Sequence, residues 1–296
     1  MNVSSGFHAR QLAVVGLGLM GGSMALALRG YADHIIGVEL NEPARQYALT
    51  HGIVDEATDD LRAGVKDADV VVLAAPVRVI LSIVRGRIGA YLRSNTFLID
   101  IGSTKEDICM AMGVLPIGIQ AVGGHPMTGK EVSGIDASDA LLYRKRPFVL
   151  CPTRRTTPAA RLRALAFVDA LGAEAIEMDA HRHDRTVAAI SHLPYLLSAA
   201  LVATVKSEGD KDDAVWQLAA GGFRDTSRLA ASDLSMMGDI LSTNTQAVAA
   251  LLARFRAQLA LLEAALIDED GEEITDLLRP VRQARIDWSS KYERKR

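Results

Sequence analysis

The stretch from Gln11 to Arg29 limits the fold more than any other. Gln11-Leu12-Ala13-Val14-Val15 reads as a buried strand. It runs straight into Gly16-Leu17-Gly18-Leu19-Met20-Gly21, and that loop into Ser23-Met24-Ala25-Leu26-Ala27-Leu28-Arg29, a run of helix formers. Strand, G-x-G-x-x-G and helix in immediate succession form the setting in which a backbone loop cradles a pyrophosphate. Gly16 permits the tight turn, Gly18 lets the backbone approach the phosphates, and Gly21 lets the helix pack on the strand. The unpaired N–H groups of the helix's first turn face the anion. Leu17, Leu19 and Met20 complete the loop and count with it as cofactor-contact positions.

The alternation continues. His34 to Val38 reads as a second strand, ending on Glu39, about 20 residues beyond the glycines, where a dinucleotide fold keeps its ribose-binding acid. A carboxylate there accepts from the ribose hydroxyls and repels a 2′-phosphate, so NAD is expected over NADP. Arg45, close by, leaves NADP open. Pro43 to Thr50 reads as a helix, Asp69 to Ala75 as a strand, Val77 to Val84 as the start of a helix, and Thr96 to Asp100 as a strand. Ile119 to Val122, Pro147 to Cys151 and Glu174 to Met178 read as further strands, with Pro158 to Leu171 helical. Near-continuous apolar strands alternating with helices predict an α/β Rossmann-type, doubly wound parallel sheet. Ligands of such sheets lie beyond the carboxyl ends of the strands. Ala75, Pro76 and Ser103 fall at those ends.

From about Asp179 the pattern becomes helical. Val187 to Lys206 has helical composition, and Val248, Leu251, Phe255, Leu259, Leu262 and Leu266 recur at helical spacing. The chain thus divides into residues 1–179, nucleotide-binding, and 180–296, an all-α domain expected to bind substrate and to pair two copies into a homodimer. The net charge of -3, with no basic run of nucleic-acid type, points away from nucleic acid. Two cysteines, Cys109 and Cys151, suit a reducing compartment. Met1 to Arg10 lacks a signal-peptide core, and the apolar stretch Ala13 to Leu28 is too short and glycine-rich for a membrane span. A cytoplasmic protein without a membrane partner is expected.

Gly123-Gly124-His125-Pro126-Met127-Thr128-Gly129 is the most pointed chemical feature. Glycines and proline around the histidine predict a turn that holds an imidazole at the rim of the cleft. Imidazole changes charge near neutral pH, which suits a general base. A histidine that only satisfies a turn's hydrogen bonds is the competing reading. His181, His183 and Asp184 suggest a metal at first sight, but no further residues of ligand spacing accompany them, and none is expected.

Four blocks in order give the chain a family resemblance: Asp100-Ile101-Gly102-Ser103-Thr104-Lys105; Gly123 to Met127 with Gly129, Ser133 and Gly134; Ser191-His192-Leu193-Pro194; and Gly221-Gly222-Phe223-Arg224-Asp225-Thr226-Ser227-Arg228. With them it resembles the prephenate and arogenate dehydrogenases of tyrosine biosynthesis, from Leu12 to about Leu266. The resemblance implies a Rossmann domain joined to a dimerising helical domain. It also implies oxidative decarboxylation of a cyclohexadienol: hydride leaves for the nicotinamide, carbon dioxide departs, and the ring becomes aromatic. It makes His125 the base at the substrate hydroxyl and Ser103 the residue that orients it, unless Ser103 is only a helix cap. It makes Arg228 the grip on the side-chain carboxylate, and gives His192 and Gly221 to substrate binding. Glu131 and Asp225 resemble an acidic pair at the pocket mouth, with Glu131 also counted toward substrate binding.

A tryptophan that the family often carries after the arginine block is replaced here by Met236-Met237, and no regulatory domain is expected beyond the helices. The substrate is expected to be prephenate, with arogenate, or both, as the alternative. A β-hydroxyacid dehydrogenase and a non-catalytic nicotinamide sensor are the remoter readings.

Overall fold

The structure is a computed structural model that describes residues 6–130 and 132–293. Its centre is one sheet of eight strands: β1 (Ala9–Val15), β2 (Ala32–Val38), β3 (Glu56–Thr58), β4 (Val70–Leu73), β5 (Phe97–Asp100), β6 (Gln120–Pro126), β7 (Pro147–Pro152) and β8 (Glu174–Glu177). Their order across the sheet is β3-β2-β1-β4-β5-β6-β7-β8. The neighbours pair in parallel except β6 with β7, which run antiparallel. The parallel, doubly wound expectation therefore holds with one reversal, on the side of the sheet that carries the histidine block.

Helices cover both faces. The connections carry α1 (Leu19–Ala27), α2 (Glu42–Thr50), α3 (Leu61–Val65), α4 (Val77–Arg85), α5 (Ile88–Tyr91), α6 (Glu106–Gly113) and α7 (Pro158–Ala170). One core holds Leu12, Val14, Val70, Val72, Phe97 and Phe167; the other holds Ala13, Val71, Leu73, Leu98, Ile80 and Met112. Alternate residues of the same strands feed opposite cores, because successive side chains point to opposite faces. That is why these strands read as continuous apolar runs.

Two features depart from the sequence expectation. The short strand β3 lies beyond β2 on the sheet edge, where Glu56 is exposed and little apolar signal is needed. The histidine block is not a turn. Gly123, Gly124, His125 and Pro126 belong to β6, with His125 opposite Val149 and Pro126 opposite Phe148. The glycines are there for close packing. A Cβ at Gly123 would lie 2.4 Å from the Cys109 Sγ, and one at Gly124 2.5 Å from the Asp100 carbonyl oxygen. Cys109 and Cys151 are buried free thiols.

After β8 the chain is helical: α8 (Ala180–Val187), a π turn over Ala188–His192, α9 (Leu193–Gly209), α10 (Ala214–Gln217), α11 (Gly221–Ser227), α12 (Leu234–Thr243), α13 (Thr245–Ile267) and α14 (Gly271–Tyr292). Pro194 cannot donate to a carbonyl one turn back, and the helix widens into the π turn just before it. Residues 180–209 are long and apolar enough, by length and composition, to cross a membrane. They nonetheless carry His183, Asp184 and His192, all buried.

By packing, the chain forms two compact units, one through Asn244 and one from Thr245. Within the first, α8 lies on α6 and β7, and α12 on α4. This division falls well downstream of the composition change at 179/180. Along α13 the expected apolar repeat is present, yet only Val248 and Ala265 are buried. Leu259, Leu261, Leu266 and Ile267 are exposed, as are Leu278, Val281, Ile286 and Trp288 on α14.

Candidate active site

The loop after β1 behaves as its glycines require. Gly16 has φ +98°, and a Cβ there would lie 2.5 Å from the Ala74 carbonyl oxygen. A Cβ at Gly21 would lie 1.9 Å from the Gly16 oxygen, so only glycine lets α1 start this close to the strand. At Gly18 a Cβ would meet nothing within 4 Å. The middle glycine thus faces open space, and no side chain caps α1 at that residue. An open backbone and an uncapped helix N-terminus are what a pyrophosphate needs. Ser23 and the Tyr143 hydroxyl fix the loop and α1 from the far side, through Asp139 N and the Met20 carbonyl. Leu17 and Leu19 are buried, so their side chains are core and only their backbone faces the loop.

Glu39 stands where the ribose-binding acid was expected. Its carboxylate accepts from Leu17 N and Asn41 N, both at 2.9 Å, which ties the end of β2 to the glycine loop. The Arg45 guanidinium donates to the Glu39 and Leu40 carbonyls and faces Asp59 at 3.7 Å. Ala75 and Pro76 follow β4 along the same edge, with Ala75 half-buried and Pro76 exposed.

Beside this loop, β5 ends on a buried charge pair. Asp100 and Lys105 are both fully buried and bonded to each other. The Asp100 carboxylate also accepts from Gly102 N at 2.8 Å and Gly124 N at 3.2 Å. One carboxylate therefore holds the turn after β5, the lysine that closes it, and the backbone next to His125.

His125 is half-buried at the carboxyl end of β6. Its Nδ1 lies 2.8 Å from the His183 Nε2, with the rings edge to face at 70°. His183 Nδ1 lies 2.7 Å from an Asp184 oxygen. Asp184 in turn accepts from Lys105 N at 2.7 Å and Glu106 N at 2.9 Å, at the start of α6. The Asn244 amide donates to the Asp184 carbonyl at 2.8 Å and to the His192 Nδ1 at 3.2 Å. Burial pushes the His125 pKa well below the ordinary histidine value, and the nearby basic groups His183, Lys105 and His192 push the same way. Burial also pushes His192 down to about 4, against the pull of Asp184. Both rings are thus neutral at pH 7.

Not every expected contact is formed among the described residues. Ser103 makes no hydrogen bond to His125 among the described residues; the His125 Nδ1 meets His183 Nε2 instead. Nor does Ser103 cap α6, whose first N–H groups are taken by Asp184. His192 is 1% exposed, and its Nδ1 is held by Asn244. Asp225 pairs with its neighbour Arg224, while Glu131 lies outside the described residues. Gly221 begins α11 and Arg228 opens the turn Arg228–Ala231, with its side chain exposed. His183 and Asp184 went unrecognised because the His-x-His-Asp run was weighed only as metal ligands. Among the described residues no three His, Cys, Asp or Glu side chains gather as a metal site, and His181 turns away to Glu106.

Comparison with known proteins agrees with this fold. The family model of the prephenate dehydrogenase nucleotide-binding domain matches residues 24–177, and that of the prephenate dehydrogenase dimerization domain matches residues 179–280. A prephenate dehydrogenase of Bacillus subtilis is 31% identical over 266 residues, 89% of this chain and 72% of that protein. The crystal structure of an Aquifex aeolicus prephenate dehydrogenase in complex with hydroxyphenyl propionate and NAD+ superposes with a TM-score of 0.86 at 29% identity, over 95% of this chain and 99% of that one. That of a Synechocystis arogenate dehydrogenase gives 0.81 at 30% identity, over 94% and 99%. The chain belongs to the prephenate dehydrogenase family.

Proposed function

We propose that this chain is an NAD-dependent dehydrogenase that oxidises and decarboxylates prephenate, yielding 4-hydroxyphenylpyruvate for tyrosine biosynthesis. The observation that carries the reading is His125: a neutral imidazole at the same sheet edge as an open glycine loop. The loop suits a pyrophosphate, and Glu39 suits an unphosphorylated ribose. Arg45 is already committed to two carbonyls and Asp59, which leaves little for a 2′-phosphate. NAD is accordingly the favoured cofactor.

A nicotinamide bound in this cleft supplies the hydride acceptor. His125 takes the proton of the ring hydroxyl as the hydride leaves its carbon, and a neutral ring is the form able to do so. The carboxylate on the opposite ring carbon then leaves as carbon dioxide, its bonding electrons restoring aromaticity. Arg228, which can form two parallel hydrogen bonds with a carboxylate, is assigned to the substrate side chain. Ser103, Gly221 and Glu131 remain assigned to the pocket by family resemblance. The exposed leucines of α13 and α14 suit a homodimer, as the description of the matching C-terminal family model suggests.

Arogenate is the second reading, since relatives of both names cover nearly the whole chain. Steady-state formation of reduced nicotinamide, followed by near-ultraviolet absorbance with each acid and each cofactor, tests the proposal. Turnover of prephenate with NAD is expected to be fastest. A preference of about a hundredfold in kcat/KM for arogenate would reverse the substrate order. No turnover of either acid would remove the function.

A further inference from the structure

The proposed reaction assigns no step to His183 and Asp184, yet among the described residues the one hydrogen bond of the His125 ring is shared with His183, which Asp184 backs. Resting on that reading, we infer that His183 and Asp184 are positioning residues that lock the His125 ring in one tautomer and so determine which nitrogen receives the substrate's proton. Both Asp184 oxygens already accept backbone N–H bonds, so the side chain is an acceptor toward His183. The His183 nitrogen 2.7 Å away, Nδ1, therefore carries the hydrogen. With its ring hydrogen on Nδ1, His183 turns the lone pair of Nε2 toward His125. The His125 Nδ1, 2.8 Å from that lone pair, must itself be the donor. Nε2 of His125 is left with the free lone pair, on the side of the ring away from His183.

The three groups are held too firmly to exchange roles. His183 and Asp184 are 1% and 2% exposed in their side chains. Asp184 cannot turn, because its two oxygens take Lys105 N and Glu106 N while Asn244 holds its carbonyl. The edge-to-face meeting of the two imidazoles, with centroids 5.0 Å apart, puts the shared hydrogen bond in line with a ring edge. When His125 takes the hydroxyl proton on Nε2, its Nδ1–H stays on His183, and the carboxylate two bonds away faces the new charge. The opposite tautomer would present an N–H to the substrate hydroxyl and leave no base there. The same carboxylate closes the start of α6, so the base and the loop after β5 are aligned by one group.

Ring-nitrogen NMR of 15N-histidine-labelled protein tests this without substrate. In the unaltered protein the His125 Nδ1 is expected to be protonated and Nε2 bare. In His183→Phe the two tautomers should mix. His183→Gln should restore the single tautomer, because its amide can donate to Asp184 and accept from His125. In turnover, His183→Phe is expected to lower kcat by about 10²-fold with KM changed less than about threefold, and His183→Gln to recover most of that loss. A proton on Nε2 of His125 in the unaltered protein overturns the inference. So does wild-type kcat in His183→Phe, or a His183→Gln variant as impaired as the Phe variant while equally well folded. Absence of turnover in the unaltered protein would instead count against the proposed function, while the tautomer remains readable.

Discussion

His125→Asn is expected to leave a folded protein that still binds NAD and substrate but turns over about 10²–10⁴-fold more slowly, the usual worth of a positioned base. The substitution is mild for the fold. An Asn amide on β6 can still donate toward His183 Nε2, and it fills less of a half-buried site. What it lacks is a nitrogen able to take a proton near neutral pH. The loss should therefore appear in kcat, with KM and cofactor affinity close to those of the unaltered protein. Steady-state kinetics together with NAD titration separate the two. A near-normal kcat would mean that another group receives the hydroxyl proton.

The second large effect concerns stability. Lys105→Met removes the partner of a carboxylate with no access to water. Breaking a buried ion pair from one side costs about 3–5 kcal/mol, because the remaining charge is left uncompensated. Thermal or urea unfolding should show a loss of that order. Adding Asp100→Asn should recover part of it by removing the stranded charge. Recovery stays incomplete, since Asp100 also accepts from Gly102 N and Gly124 N through both its oxygens, and one Asn oxygen cannot serve both. A loss below about 1 kcal/mol in the single variant would show that the pair is less isolated from water than its burial implies.

How much of this was legible in the sequence follows from where each signal resides. The strand, the glycine loop, α1 and the acid at Glu39 are local, so spacing alone could order them. The apolar strands were legible because both their faces are buried. The edge strand β3 lacks that signature. The two glycines before His125 suggested a turn, since glycine usually marks special backbone angles. Here they answer to Asp100 and Cys109, neighbours that only folding brings near. The orienting partner of the base was missed for a related reason: His183 is 58 positions away along the chain. Its helix reaches the sheet only because α8 lies on α6 and β7. The reversal of β7 was equally invisible, since an apolar run does not record its direction. The hydrogen-bond partner of His192, Asn244, lies 52 residues away along the chain.

The account stands on His125 meeting the oxygen of a six-membered ring beside a nicotinamide. A crystal structure of this protein with NAD and the product analogue hydroxyphenyl propionate measures that contact directly. The account predicts the ring oxygen within hydrogen-bond reach, about 2.6–3.2 Å, of the His125 Nε2, with Nδ1 still on His183. A ring oxygen held by other groups, with His125 turned away from it, would contradict the account.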